Sequence, residues 1–177
     1  MKKSKNIPMI KYTIKHGIFL GIAIIIFSLA SYLAGSYIVQ GWINLIVLLI
    51  VTVTSIMSGL LMFKKNNEGY ISLGEALKIG IGITVLGGLI ATLWEILFLK
   101  VIDPEIITQL EGNQIKKIAK EAKDFTLENM DRKIQLTNKI KSPIIMLVSA
   151  LAEDIFIGFI FSLIGGLIMR RKRDPFR

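Results

Sequence analysis

The chain has 177 residues, 53% of them hydrophobic, with no cysteine, one histidine and a formal net charge of +9. Disulfides, thiolate metal sites and a catalytic cysteine are excluded outright, and His16 alone builds no histidine cluster. Soluble domains carry roughly 45–50% apolar residues spread at helix or strand spacing, whereas here they are massed in four long blocks.

The first block, 17–39, has no charged residue. It is longer than the roughly 7–15 residues of a signal h-region, so it is expected to be a retained span despite the basic start Lys2, Lys3 and Lys5. The second block, 42–63, is also free of charge. The third, 73–99, contains Glu75, Lys78 and Glu95. The fourth, 143–169, contains Glu153 and Asp154. About 20 mainly apolar residues cross a bilayer as a helix, and an open backbone in lipid must pair within its own segment. The alternation of a transmembrane barrel is absent. The sequence therefore predicts an all-α integral membrane protein: a single domain over 1–177 with four transmembrane helices and an amphipathic helical loop, 100–142, between the third and fourth.

Within that loop, Asp103-Pro104 fits a helix start, Gly112-Asn113 an interruption, and 114–138 a longer helix. Ile115, Ile118, Ala122 and Phe125 give this second helix an apolar face, and closely spaced opposite charges give it a solvated one. Ser142-Pro143 reads as the start of the last span.

Orientation follows from the basic residues. Twelve Lys and Arg lie in the N-terminal tail, the turn after the second span and the C-terminal tail, against nine in the long loop. The positive-inside rule then places both termini in the cytoplasm and the long loop on the outer face. Tyr12, Tyr32, Tyr37, Trp42, Tyr70 and Trp94 read as interface anchors. Glu75 and Lys78 read as snorkelling residues, and His16 as a structural interfacial residue at the head of the first span.

Helices meet in lipid through small residues. The third span carries Ala76, Gly80, Thr84, Gly88 and Thr92 at four-residue spacing, a stripe that Gly82 and Gly87 widen. The fourth carries Ala150, Asp154, Gly158, Ser162 and Gly166 at the same spacing. Two such stripes predict that these spans lie together. The first span offers Gly17 with Gly21.

The intramembrane acids are the candidate contacts for a proton, a cation or a polar group. An acid at a span centre costs about 2.5–3.5 kcal/mol, while each Leu, Ile, Phe or Val returns about 0.3–0.6. The fifteen such residues of the fourth span just offset Glu153 and Asp154. Glu95 leaves the membrane where the fourth span enters, so all three acids should share the outward half, with Lys100 a basic neighbour. A structural role for them is the plainer alternative. No phosphate loop, His-Glu-x-x-His or Gly-x-Ser-x-Gly occurs. No catalytic, metal or cofactor site is expected.

The stretch from Gly69 through Tyr70, Ile71, Ser72, Leu73, Gly74, Glu75 and Ala76 to Gly80 enters a Gly-rich span. Ile102-Asp103-Pro104 follows that span, then a helical loop and a last span ending in basic residues. This pattern resembles the domain of unknown function 4199 family of small bacterial membrane proteins. The resemblance implies four spans and a bacterial inner membrane, and it carries no site residues. The expected role is that of a non-enzymatic protein acting by helix packing, with the bilayer, a second copy or another membrane protein as partner and no nucleic acid. The alternative is a proton- or cation-coupled transporter or channel-like assembly using Glu95, Glu153 and Asp154.

Overall fold

The computed structural model describes residues 8–35, 42–103, 106 and 143–171. Its helices are α1 (Met9–Leu33), α2 (Trp42–Asn66), α3 (Leu73–Leu97) and α4 (Pro143–Met169), with a π-helical turn at Phe98–Ile102 continuing α3. Each of α1 to α3 has 25 residues and α4 has 27. At about 1.5 Å per residue each exceeds the roughly 30 Å of hydrocarbon. All four are long and apolar enough to cross a membrane. Large side chains such as Ile26, Leu45, Phe156 and Ile168 lie exposed on the outside of the bundle, as lipid-facing residues do. The protein is an all-α integral membrane protein.

α3 is the hub. It packs most extensively against α4 and α1, while α2 touches all three other helices. The α3–α4 contact runs antiparallel along both small-residue stripes. A Cβ on Gly80 would strike Ser162, one on Gly158 would strike Thr84, and one on Gly166 would lie 2.8 Å from the Ala76 Cβ. The two backbones approach closely because these positions carry little or nothing.

Gly82 and Gly87 do not widen that stripe. They face α1, where Gly82 meets Thr13 and Gly87 meets Leu20, while Gly17 and Gly21 of α1 receive Leu86 and Ile90. Thus α3 has two small-residue faces and α1 lies parallel to it. A single helical wheel merges these faces because they are adjacent. Their separation depends on where each neighbour sits.

α1 begins eight residues before the expected start of the first span. Lys11 and Lys15 point outward, while Tyr12 and His16, each 7% exposed, turn inward. Tyr12 is therefore a core residue rather than an interface anchor. Its ring meets Phe63 edge-on at 5.5 Å, and its hydroxyl accepts from Asn66 Nδ2 at 2.7 Å. His16 sits against Gly59 of α2, with Nδ1 3.1 Å from the Ser58 hydroxyl. Trp42, by contrast, is 72% exposed at the head of α2.

The α2–α3 turn is built by backbone geometry. Glu68 and Gly69 adopt positive φ (56° and 81°), and the Gly69 N–H returns to the Lys64 carbonyl at 2.8 Å. Glycine suits the left-handed position. Ile71 and Arg171 then exchange two backbone hydrogen bonds, of 3.2 and 3.0 Å, which ties the end of α4 to the start of α3. Ser72 and Glu75 close a capping box: the Ser72 N–H donates to Glu75 Oε2 at 2.8 Å, and the Glu75 N–H to Ser72 Oγ at 3.3 Å. Glu75 is thus a helix-start residue rather than a snorkelling one. The turn at Gln40-Gly41 and the two helices expected in the 100–142 loop lie outside the described residues, apart from Asp103 and Ile106.

Candidate functional site

Burial is unevenly distributed along the bundle. In α1 the buried residues end at Gly21, and in α2 they begin at Ser55. The main core, including Tyr12, Leu20, Ile56, Leu60, Phe63, Ile79 and Ile83, lies in the half next to the α2–α3 turn. In the other half the helices leave a half-open cavity of about 390 Å³.

All four helices contribute to its wall. α1 supplies Ile24, Phe27, Ser28 and Ser31; α2 supplies Asn44, Leu48 and Thr52. α3 supplies Gly88, Ala91, Thr92, Trp94 and Glu95; α4 supplies Ala150, Glu153 and Asp154. The three acids singled out in the sequence therefore meet on one cavity. Of the stripe residues, Gly88, Thr92 and Ala150 also reach it, whereas Ala76, Gly80, Gly158, Ser162 and Gly166 are engaged in the α3–α4 contact. Lys100 is exposed on the π-helical turn and does not line the cavity.

Asp154 is fixed through its backbone. The Thr84 hydroxyl donates to the Asp154 carbonyl at 2.7 Å. That carbonyl belongs to the turn preceding Gly158, whose missing Cβ leaves room for Thr84. The Asp154 carboxyl lies over Gly88, where a Cβ would collide with it, and its Oδ2 is buried without a hydrogen-bond partner among the described residues. Glu95 and Glu153 are exposed at the cavity edge. Thr92, 6% exposed, forms part of the wall.

An aromatic cluster stands beside the acids. Trp94 and Phe98 have ring centroids 6.0 Å apart, and Tyr32 meets Phe98 edge-on at 5.1 Å. The Tyr32 hydroxyl donates to Asp103 Oδ2 at 3.0 Å, joining the end of α1 to the chain after the π-helical turn. Tyr32 and Trp94 are therefore parts of this cluster, not only interface residues. The Trp94 indole N–H is buried without a hydrogen-bond partner among the described residues.

Sequence reasoning missed the contribution of α1 and α2. Ser28 with Ser31, and Asn44 with Thr52, share helical faces at spacings of three and eight residues. Polar residues on one face of an otherwise apolar span were the available signal.

The family model described as "Protein of unknown function (DUF4199)" matches residues 15–171. The chain belongs to this DUF4199 family. No curated protein matches it, and no solved structure does. The match covers α2, α3 and α4 in full, most of α1 and the whole cavity wall. In this DUF4199 member the stretch 69–80 also has a definite structural job. Gly69 makes the left-handed turn and the Tyr70 ring lies 5.6 Å from the Arg171 guanidinium. Ile71 bridges to Arg171, Ser72 and Glu75 cap α3, and Ala76 and Gly80 begin its contact with α4. That stretch closes the end of the bundle remote from the acids.

Proposed function

We propose that this protein is a cation carrier: a non-enzymatic, multi-pass protein of a bacterial inner membrane that admits a cation to the acid-lined cavity from the outer side. The single observation that carries the reading is the convergence of Glu95, Glu153 and Asp154 on one half-open cavity between the helices. Intramembrane acids are expensive, and they characteristically mark ion or substrate paths. The small-residue stripes, which favoured an interaction role in the sequence, are occupied by contacts within the chain. That shifts the weight to the acids.

The excess of basic residues in the tails and the α2–α3 turn favours cytoplasmic termini, an orientation in which the cavity faces outward. The close-packed half beneath it separates a bound cation from the cytoplasmic side.

The test is flux of protons, sodium, potassium and tetramethylammonium into liposomes holding the purified protein. The comparison is wild type against the double substitution Glu153→Gln, Asp154→Asn. The carrier reading expects flux of at least one cation, abolished in the double variant while its melting curve is retained. No flux from either folded protein, or equal flux from both, overturns it.

A further inference from the structure

The walls of the cavity contain more than carboxylates, and their composition bears on the class of cation. Its volume of about 390 Å³ is at the lower end of the roughly 300–1,000 Å³ of small-molecule sites, and is far larger than one dehydrated metal ion occupies. Among the described residues, no three His, Asp or Glu side chains are placed to hold a metal ion together. The acids border a volume; they do not converge on a point.

Beyond the acids the wall is mixed, with Ser28, Ser31, Asn44 and Thr52 beside a continuous set of apolar side chains. Ile24, Phe27, Leu48, Ala91 and Ala150 line it together with the Trp94 ring. A bare or hydrated inorganic ion gains nothing from such surfaces. An alkyl or aryl group does, and an aromatic face attracts an organic cation through its ring quadrupole. Thr92 is a second, independent indication. Over nine-tenths buried on the wall, it has no hydrogen bond from its hydroxyl to any described residue. Its hydroxyl opens on the cavity rather than being sealed in the core, so a polar group entering there, water or a bound ligand, can pair with it.

We infer that the cavity takes an organic ammonium ion, its charged head at the Glu95, Glu153 and Asp154 side and its apolar body against Trp94, Phe27 and Leu48. This rests on the carrier reading for its site, and it names the cargo.

The test is equilibrium dialysis of the full chain in zwitterionic nanodiscs, with empty nanodiscs subtracting partition into lipid. The probes are benzyltrimethylammonium, the neutral shape analogue 3,3-dimethyl-1-butanol, and sodium, potassium and magnesium as competitors at constant ionic strength. Saturable binding of benzyltrimethylammonium is expected, with none of the neutral alcohol and no competition from the metal ions. Asp154→Asn should weaken binding about tenfold, equivalent to about 1.4 kcal/mol. Trp94→Leu should weaken it severalfold, with Trp94→Phe largely restoring it. Melting curves of the variants separate lost binding from lost fold.

Binding of sodium, potassium or magnesium that Asp154→Asn removes, without binding of benzyltrimethylammonium, overturns the organic-cation assignment and leaves the carrier reading standing. Equal binding of the ammonium and the alcohol also overturns the assignment. Binding of no cation to the folded wild-type protein overturns both.

Discussion

The two halves of the bundle use the same elements in opposite ways. Near the α2–α3 turn, glycines let helices touch: Gly80 faces Ser162, Gly59 faces Ile83 and His16, and Gly165 faces Met57 and Leu60. Polar side chains pair across helices there, Asn66 with Tyr12 and Ser58 with His16 Nδ1, though His16 Nε2 is buried without a partner among the described residues. In the far half, Gly88 makes room for the Asp154 carboxyl, and the space between helices is kept open by side chains of mixed character. In a membrane protein without a hydrophobic drive between helices, backbone contact supplies the cohesion. Concentrating that contact at one end frees the other to hold a cavity.

Breaking the tight half should have the largest effect. Gly158→Leu pushes side-chain atoms into Thr84 and the α3 backbone, whose Ile81 Cα is only 3.0 Å from a Cβ at that position. The variant should lose about 3 kcal/mol, read by denaturant titration in micelles. Removing the cap with Ser72→Ala should cost about 1 kcal/mol, seen in the same titration, with cation binding at the far end unchanged.

Two substitutions sharpen the contrast from the open side. Tyr32→Phe removes the hydroxyl that donates to Asp103 and should loosen the end of α1 with little loss of global stability. Hydrogen exchange should rise around Tyr32 and Phe98 without change around Phe63. Gly88→Ala displaces a carboxyl rather than a backbone. Its stability should stay within about 1 kcal/mol of wild type, while benzyltrimethylammonium binding falls. Equal destabilisation by Gly88→Ala and Gly158→Leu would show that the halves do not differ as described. The smallest effect is expected for Arg171→Ala, which loses the contact with Tyr70 worth about 0.5–1 kcal/mol at an exposed position.

Much of this organisation was legible residue by residue. The limits of α4 coincide with the 143–169 block, because Pro143 and the Arg170-Arg171 pair bracket an unbroken apolar run. The α3–α4 pairing followed from two stripes with the same four-residue period, which match only when antiparallel helices meet along them. Glu95 could be placed near Glu153 and Asp154 because one span ends where the next begins.

Other features left no linear trace. α1 starts at Met9 because Lys11 and Lys15 can stay outside while Tyr12 and His16 enter the core, a distinction of face that a count of apolar residues averages away. Glu75 looked like a charge to be tolerated until its bonds to Ser72 gave it a partner. The contribution of Ser28, Ser31, Asn44 and Thr52 depends on α1 and α2 parting after Gly21 and before Ser55.

The sequence by itself determined four helical spans, their alternating directions and the end of the bundle at which the acids meet. Lipid offers the backbone no outside partner, so each long apolar run must form a helix, and a helix converts residue number directly into distance along the span. Only the tertiary structure decided which face of α3 meets which neighbour, and that the bundle closes at one end and opens at the other. Those outcomes turn on how closely particular pairs of helices approach, and the approach is set by side chains from different spans meeting in space.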